Sequence, residues 1–458
     1  MSNKTNILVI LDDQHRHDFV GYAGAVYVDT PNIDALAKRG AVFTHCCTNA
    51  PICAPARISL ATGLLPERTG ALTNQSTLPI TTPNHYRHFR DHGYRVELVG
   101  RHDLSKPGAP GSIYGNRPLN FSYGFTRALE VEGGMAAALK VNDHGATGPY
   151  SQYLQEQGLL QDYADDFAQR WEKGWVIGAS HNSALPAEHH QDAFVGRAAV
   201  ERIQNMEDDY PWYMFVSFQS PHDPFDPPAE LGEKYAHAAV PSAITAQPQH
   251  KSQRTQQHMK HWSHGTEADV TIARRQYCAK IELIDQQIGL ILSALEEQGL
   301  ADNTIVVFSS DHGEQAGDHG LYQKHVAYES SLRVPLIVAG PGIKPGSSDA
   351  LVELSDLNPT MVELAGLEPQ AGLDAASFVP VLRGETDTHR THCLTAEEGY
   401  WAMRTATHKY IEVADDLPEL YDLSTDPDEL HNIYEQHPEL IQSFQSARKQ
   451  RLESSSTS

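Results

Sequence analysis

No apolar run in the 458-residue chain is long enough to cross a bilayer. The first such stretch, Ile7-Leu8-Val9-Ile10-Leu11, is short and lacks signal-peptide flanks, following the polar start Met1-Ser2-Asn3-Lys4-Thr5. Read as written, this predicts a cytoplasmic protein with no membrane partner; a periplasmic or secreted location would require a leader already removed. Positive charge is scarce. There are 35 Lys and Arg against 59 Asp and Glu, a formal net charge of -24. Such a surface repels polyanions and argues against nucleic acid as a partner. It also sets a condition: if the substrate is an anion, a metal or a few Arg and Lys must concentrate positive charge at the site. Cysteine is sparse. Cys46, Cys47, Cys53, Cys278 and Cys393 are odd in number and match neither a disulfide framework nor a zinc spacing. That suits a reducing compartment or independence from bridges. Low-complexity tracts and internal repeats are lacking too, which leaves an ordinary globular composition.

Short apolar runs alternate with helical patterns, and this predicts an α/β fold. Residues 6–11, 95–99, 212–218, 304–308 and 334–338 read as strands. Thr30-Pro31-Asn32 reads as a helix start, with Thr30 as N-cap and Pro31 at the first position. A second helix is expected after Cys53, ending near Gly63. Ile281, Ile284, Ile288, Ile291 and Leu295 fall on one helical face that Gly299 closes. Residues 105–185 read as inserted loops and short helices, and 240–265 as a solvated loop. After about residue 370 short alternating segments such as 401–413 appear. The predicted organisation is a catalytic domain over 1–370 and a small C-terminal subdomain over 371–458.

Four clusters carry chemistry. Asp12-Asp13 and Asp311-His312-Gly313-Glu314 each follow a predicted strand, where open α/β sheets place ligands. Together they would suit a divalent cation; taken alone, an Asp pair at a strand end reads better as helix capping. Cys53-Ala54-Pro55-Ala56-Arg57 places a thiol at a helix start with a cation one turn on, either a reactive thiol or a buried one. Ser220-Pro221-His222-Asp223 and Gly317-Asp318-His319 through Lys324-His325 offer His222 and Lys324, which could stabilise an anion or protonate a leaving group, although either residue alone reads better as a surface group.

Cys53-Ala54-Pro55-Ala56-Arg57 matches the C-x-P-x-R signature of the type I sulfatases. The chain resembles that family in further ordered blocks: Asp12-Asp13-Gln14, Thr30-Pro31-Asn32, Thr62-Gly63, Pro221-His222, Ser310-Asp311-His312-Gly313-Glu314, Arg333-Val334-Pro335-Leu336 and Leu420-Tyr421-Asp422-Leu423. The resemblance runs from about residue 6 to 433 and thins over 105–185. It implies an alkaline-phosphatase-like fold, with a large, mostly parallel central sheet flanked by helices and a small C-terminal antiparallel sheet.

The resemblance also implies a mechanism. A maturation enzyme oxidises Cys53 to formylglycine. A divalent metal, Ca²⁺ first and Mg²⁺ or Mn²⁺ as alternatives, is held by Asp12, Asp13, Asp311, His312 and residue 53. One hydroxyl of the aldehyde hydrate attacks sulfur, Arg57 and Lys324 neutralise the sulfuryl oxygens, and His222 or Lys324 protonates the departing alcohol. The second hydroxyl then expels sulfate. One block departs from the family: Gly100-Arg101-His102-Asp103 stands where many members read Gly-Lys-x-His. Arg101 can keep the positive charge, while the base that expels sulfate becomes either Asp103 or His102. His181, His189 and His190 precede a predicted helix near 191, and His102, His181 and His189 are taken as substrate-binding. The expected substrate is a small anionic sulfate ester, by preference of a carbohydrate. Alternatives are an aryl or choline sulfatase, a phosphonate monoester or phosphodiester hydrolase on the same apparatus, and a non-enzymatic binder in which Cys53 stays a thiol.

Overall fold

A computed structural model describes residues 4–106, 112–139, 141, 145–174, 176–207, 209–246, 248–262 and 265–454. Its centre is strand β1 (Asn6–Asp13), buried along its whole length. Ile7, Val9 and Leu11 pack into one apolar layer, and Leu8 and Ile10 into the layer on the opposite face. A strand covered on both faces must be apolar throughout, which is why this segment shows no alternation.

The other strands of the large sheet are β2 (Gly40–Cys47), β3 (Arg95–Gly100), β4 (Arg127–Glu130), β5 (Trp212–Pro221), β6 (Thr304–Ser310), β7 (Arg333–Val334), β8 (Leu336–Ala339) and β9 (Gly346–Glu353). The nine strands run in the order β4-β3-β5-β1-β6-β8-β2-β7, with β9 beside β2. From β4 to β6 all neighbours are parallel. β8 is antiparallel to both β6 and β2, so the sheet is mixed. A separate antiparallel meander holds β10 (Cys393–Glu397), β11 (Tyr400–Arg404), β12 (His408–Val413) and β13 (Glu419–Asp422). This is the α/β architecture expected from the sequence. Residues just before the meander pack with the large sheet: Phe378 and Leu382 belong to its apolar core.

Several local expectations change. The strand read over 334–338 breaks at Pro335, which has no N–H for the ladder, into β7 and β8. Helix Pro31–Arg39 starts at Thr30, but that side chain makes no capping bond; its Oγ1 accepts from Gly21 N at 2.7 Å and donates to Asp34. The amphipathic helix extends over Glu267–Glu297, capped by a reciprocal Thr266–Asp269 box. Residues 105–185 hold β4 and the 13-residue helix Leu160–Glu172. The supposed loop at 240–265 contains helix Gln253–Trp262. Among the described residues no helix is long and apolar enough to cross a membrane.

Candidate active site

Four parallel strands deliver the site at their carboxyl ends. β1 ends in Asp12-Asp13, and its register sets Asp12 beside Ser310 at the end of β6, so Asp311 and His312 follow one step on. β3 ends at Gly100, ahead of Arg101. β5 runs into Pro221-His222. Gly100 has φ 107°, and any Cβ there would collide with the Ser217 carbonyl of β5. Only glycine allows that approach.

Helix Cys53–Thr62 begins at Cys53 and aims it at the strand ends. One ligand atom from each of Asp13, Cys53, Asp311 and His312 lies within 4.8 Å of the others, and all four residues are buried. Cys53 Sγ is 3.3 Å from His312 Nε2 and 3.7 Å from Asp13 Oδ1. His312 Nδ1 sits 3.0 Å from the Gly313 carbonyl. A donated Nδ1–H at that carbonyl leaves the Nε2 lone pair facing the cluster, the tautomer a metal ligand needs. Asp12 stands beside this group. Its Oδ2 pairs with His15 Nδ1 at 2.7 Å, while its Oδ1 is buried with no partner among the described residues. Burial pushes the Asp12 carboxyl up to about 6. An orphaned carboxylate oxygen next to two more carboxylates and an imidazole is a donor set that a divalent cation would satisfy.

Electrostatics point the same way. Burial and the Asp13 charge push Asp311 above the ordinary carboxyl range. Burial also opposes ionisation of Asp13, but His222, Arg57, Lys324 and His312 outweigh it and hold that carboxyl well below the usual range. At Cys53, burial and Asp13 raise the thiol, while Lys106, Lys324 and His312 lower it further and hold it well below an ordinary thiol.

Arg57 departs from its expected role. Its Nε donates to Asp311 Oδ2 at 2.8 Å, Nη1 to Ser217 Oγ at 2.7 Å and the Arg101 carbonyl at 2.9 Å, and Nη2 to Asp13 Oδ2 at 3.4 Å. It is 1% exposed. Four bonds to protein acceptors make it the residue that positions the two carboxylates rather than a sulfuryl contact.

A cavity of about 500 Å³ opens beside the cluster. Arg101, Lys106, His222 and Lys324 line it, with Tyr150, Tyr163 and Phe167 elsewhere on its wall. Lys324 Nζ lies 2.8 Å from His222 Nε2 and also reaches Gln14 Oε1. His222 Nδ1 is 2.7 Å from the Asp223 carbonyl. Donation there leaves Nε2 to accept from the Lys324 ammonium. Burial lowers Lys324, but residue 53 and Asp13, Asp223 and Asp311 raise it above the usual lysine value.

Both expected bases are engaged by neighbouring groups. Asp103 is 5% exposed and lies between Arg101 Nη2 at 2.9 Å and Lys106 Nζ at 3.3 Å. Burial raises its carboxyl, but Arg101, Lys106 and Arg57 hold it far below the usual range. His102 Nδ1 accepts from Leu104 N at 2.9 Å, and its Nε2 faces Asn120 Oδ1 at 2.8 Å and Glu130 at 3.2 Å. His102 borders the cavity with both nitrogens engaged. His181 and His189 lie off the cavity lining. The first faces the Asn182 carbonyl at 3.1 Å and the second binds Tyr153 OH at 2.7 Å. Their neighbour His190 is the lining residue. Lys106 and Asn74, whose Oδ1 accepts from Ala54 N at 3.0 Å, were not anticipated from the sequence, and Gln14 stood there only as part of a family block. Only the need for local positive charge on an acidic chain pointed toward a residue such as Lys106.

The family model for Sulfatase matches residues 4–367. The chain belongs to the sulfatase family. Residues 317–457 also match the model for N-sulphoglucosamine sulphohydrolase, C-terminal. The sulfatase is 31% identical to the choline-sulfatase of Rhizobium meliloti (strain 1021), over 95% of this chain and 83% of that one. It is 27% identical to arylsulfatase K of Xenopus laevis, over 96% and 81%. In fold it is similar to the phosphonate monoester hydrolase of Agrobacterium radiobacter, with TM-score 0.80, 24% identity, and 99% and 96% of the two chains covered. It is also similar to a protein solved with its substrate D-glucosamine-2-N,6-O-disulfate, at TM-score 0.75 and 20% identity, covering 98% of each chain. Family membership makes this chain a sulfuric ester hydrolase and implies a divalent metal and formylglycine.

Proposed function

We propose that this sulfatase hydrolyses the sulfate monoester of a small carbohydrate at the cavity beside Cys53, with residue 53 matured to formylglycine by a partner enzyme. The observation that carries this is the buried Asp13, Cys53, Asp311 and His312 group at the edge of a cation-lined cavity. Those four residues and Asp12 would hold the metal. Ca²⁺ is the ion we assign, because carboxylate oxygens dominate the set. The imidazole is the one ligand that would suit Mn²⁺ better. When present, the metal and the hydrated aldehyde supply Lewis acidity and a nucleophilic oxygen.

The chain's own residues do the remaining work. Arg57 fixes Asp13 and Asp311 at the angle that faces residue 53. Arg101 and Lys324 bring positive charge to the anionic ester. The Lys324–His222 pair holds the proton that a departing alcohol needs. Gln191, Gln219 and Gln323 place amides on the wall, and Tyr150 and Tyr163 place aromatic rings there, a combination suited to a sugar. About 500 Å³ is within the range of small-molecule pockets.

A second reading has its own observation. Tyr150, Tyr163 and Phe167 on the lining would suit a cationic alcohol ester through cation–π contact. Likeness to the choline-sulfatase supports it. The deciding experiment uses protein whose residue 53 is confirmed as formylglycine by peptide mass. Rates are compared on glucosamine 6-sulfate, choline sulfate, an aryl sulfate and an aryl phosphonate, alongside elemental analysis of the metal. A sulfated sugar turned over best supports the proposal. Preference for choline sulfate selects the second reading, and dominant phosphonate hydrolysis overturns both.

A further inference from the structure

The site has a charge problem. A sulfuryl group developing negative charge needs fixed cations, and Arg57 is committed to Asp13, Asp311, Ser217 and a backbone carbonyl. Arg101 spends Nε and Nη2 on Asp103 and Nη1 on Gln219. Lys324 is shared between Gln14 and His222. Lys106 is different. Its one ion pair among the described residues is to Asp103 Oδ2 at 3.3 Å, its side chain is 24% exposed, and it lines the same cavity. Of these four cations it alone, among the described residues, has two N–H groups with no protein acceptor.

The backbone explains how it arrives there. Asp103 has φ 54°, a left-handed conformation that a non-glycine residue adopts at a cost. That turn folds the chain back just after β3. A bridge between Ser105 and Thr77 then pins the return, with Lys106 one residue on. One carboxylate thereby tethers Arg101 and Lys106 on the same wall. Lys106 also comes ahead of Lys324 among the charges acting on residue 53.

We propose that Lys106 is a sulfuryl-binding residue of this enzyme, held in place by the left-handed Asp103 carboxylate, and that it supplies the anion contact Arg57 does not. Asp103 is then a positioning residue, and the departure from Gly-Lys-x-His exchanges a base for a tethered cation. This rests on the sulfatase reading.

The test compares wild type, Lys106→Met and Lys106→Arg, each with residue 53 confirmed as converted. Binding of inorganic sulfate is measured by calorimetry, and kcat/KM on an aryl sulfate is measured beside it. Lys106→Met is expected to weaken sulfate binding about tenfold or more, the scale of one lost charged hydrogen bond. Its kcat/KM should fall about 10²-fold. Lys106→Arg should keep both within a few-fold, and the thermal midpoint should not move in either variant. Sulfate affinity within twofold of wild type in Lys106→Met overturns the proposal, as does an equal loss in both variants. Wild-type turnover of sulfate esters reports separately on the hydrolase reading, because anion binding needs no turnover.

Discussion

Replacing Arg57 by Met removes a buried guanidinium while keeping most of its apolar stem. In the wild type that group bonds Asp311 at 2.8 Å and Asp13 at 3.4 Å, with Ser217 and the Arg101 carbonyl as neutral acceptors. Asp13 and Asp311 are fully buried, so the loss leaves two carboxylates without that compensation and two acceptors unpaired. Breaking one buried ion pair from one side costs about 3–5 kcal/mol. Arg57→Met should lose at least that in chelator, read from urea unfolding of protein left as thiol at residue 53. A divalent cation would neutralise the same carboxylates. Added Ca²⁺ should therefore stabilise the variant more than the wild type and shrink the gap, because a ligand of the native state stabilises by mass action. A loss below about 1 kcal/mol in chelator would refute the positioning role. An equal loss with and without cation would refute the shared use of Asp13 and Asp311.

Other outcomes follow from the same geometry. His222→Gln should cut kcat by about 10²-fold on an alkyl sulfate and far less on a nitrophenyl sulfate, whose leaving group needs no proton; equal losses on both would remove the Lys324–His222 pair from proton donation. His190→Ala should raise KM, whereas His189→Ala and His181→Ala, off the cavity, should leave it unchanged in steady-state assays. Burial raises the Asp356 carboxyl, but Arg390 and His389 hold it well below the ordinary range. A depressed carboxyl contributes stability above its unfolded value near ~3.9, lost as pH falls toward its folded one. Asp356→Asn should thus cost about 3 kcal/mol at pH 7, and urea midpoints for the two proteins should converge below about pH 4. His312→Asn should lower Mn²⁺ binding relative to Ca²⁺ in competition measurements; an unchanged ratio would argue against His312 as a ligand.

Much of this protein was legible before any coordinates. The apolar strands, the Cys53–Thr62 helix with Gly63 after it, and the acidic strand ends are local in origin. They arise from burial on two faces, helix termini, and short polar residues where a strand stops. The motif blocks then identified the chemistry, because nucleophile, carboxylates and basic residues recur in a fixed order along the chain. What stayed hidden was the partner each charged group would choose. Arg57 sits one turn from Cys53 in sequence, yet its bonds go to β1, β5 and the residue just past β6. Asp103 resembled a base until Arg101 and Lys106 closed on it. His189 and His190 are adjacent, and a change of direction at one residue sends the first to Tyr153 and the second to the cavity. Burial and hydrogen bonding decide such roles over distances of a few ångströms, whether the partners are near in sequence, as Asp103 and Arg101, or far apart, as Arg57 and Asp311. The sequence determined the thiol, the carboxylates and most of the basic groups at these strand ends; only the folded chain brought in Lys106, left His181 and His189 outside, and decided which groups remained available to a substrate.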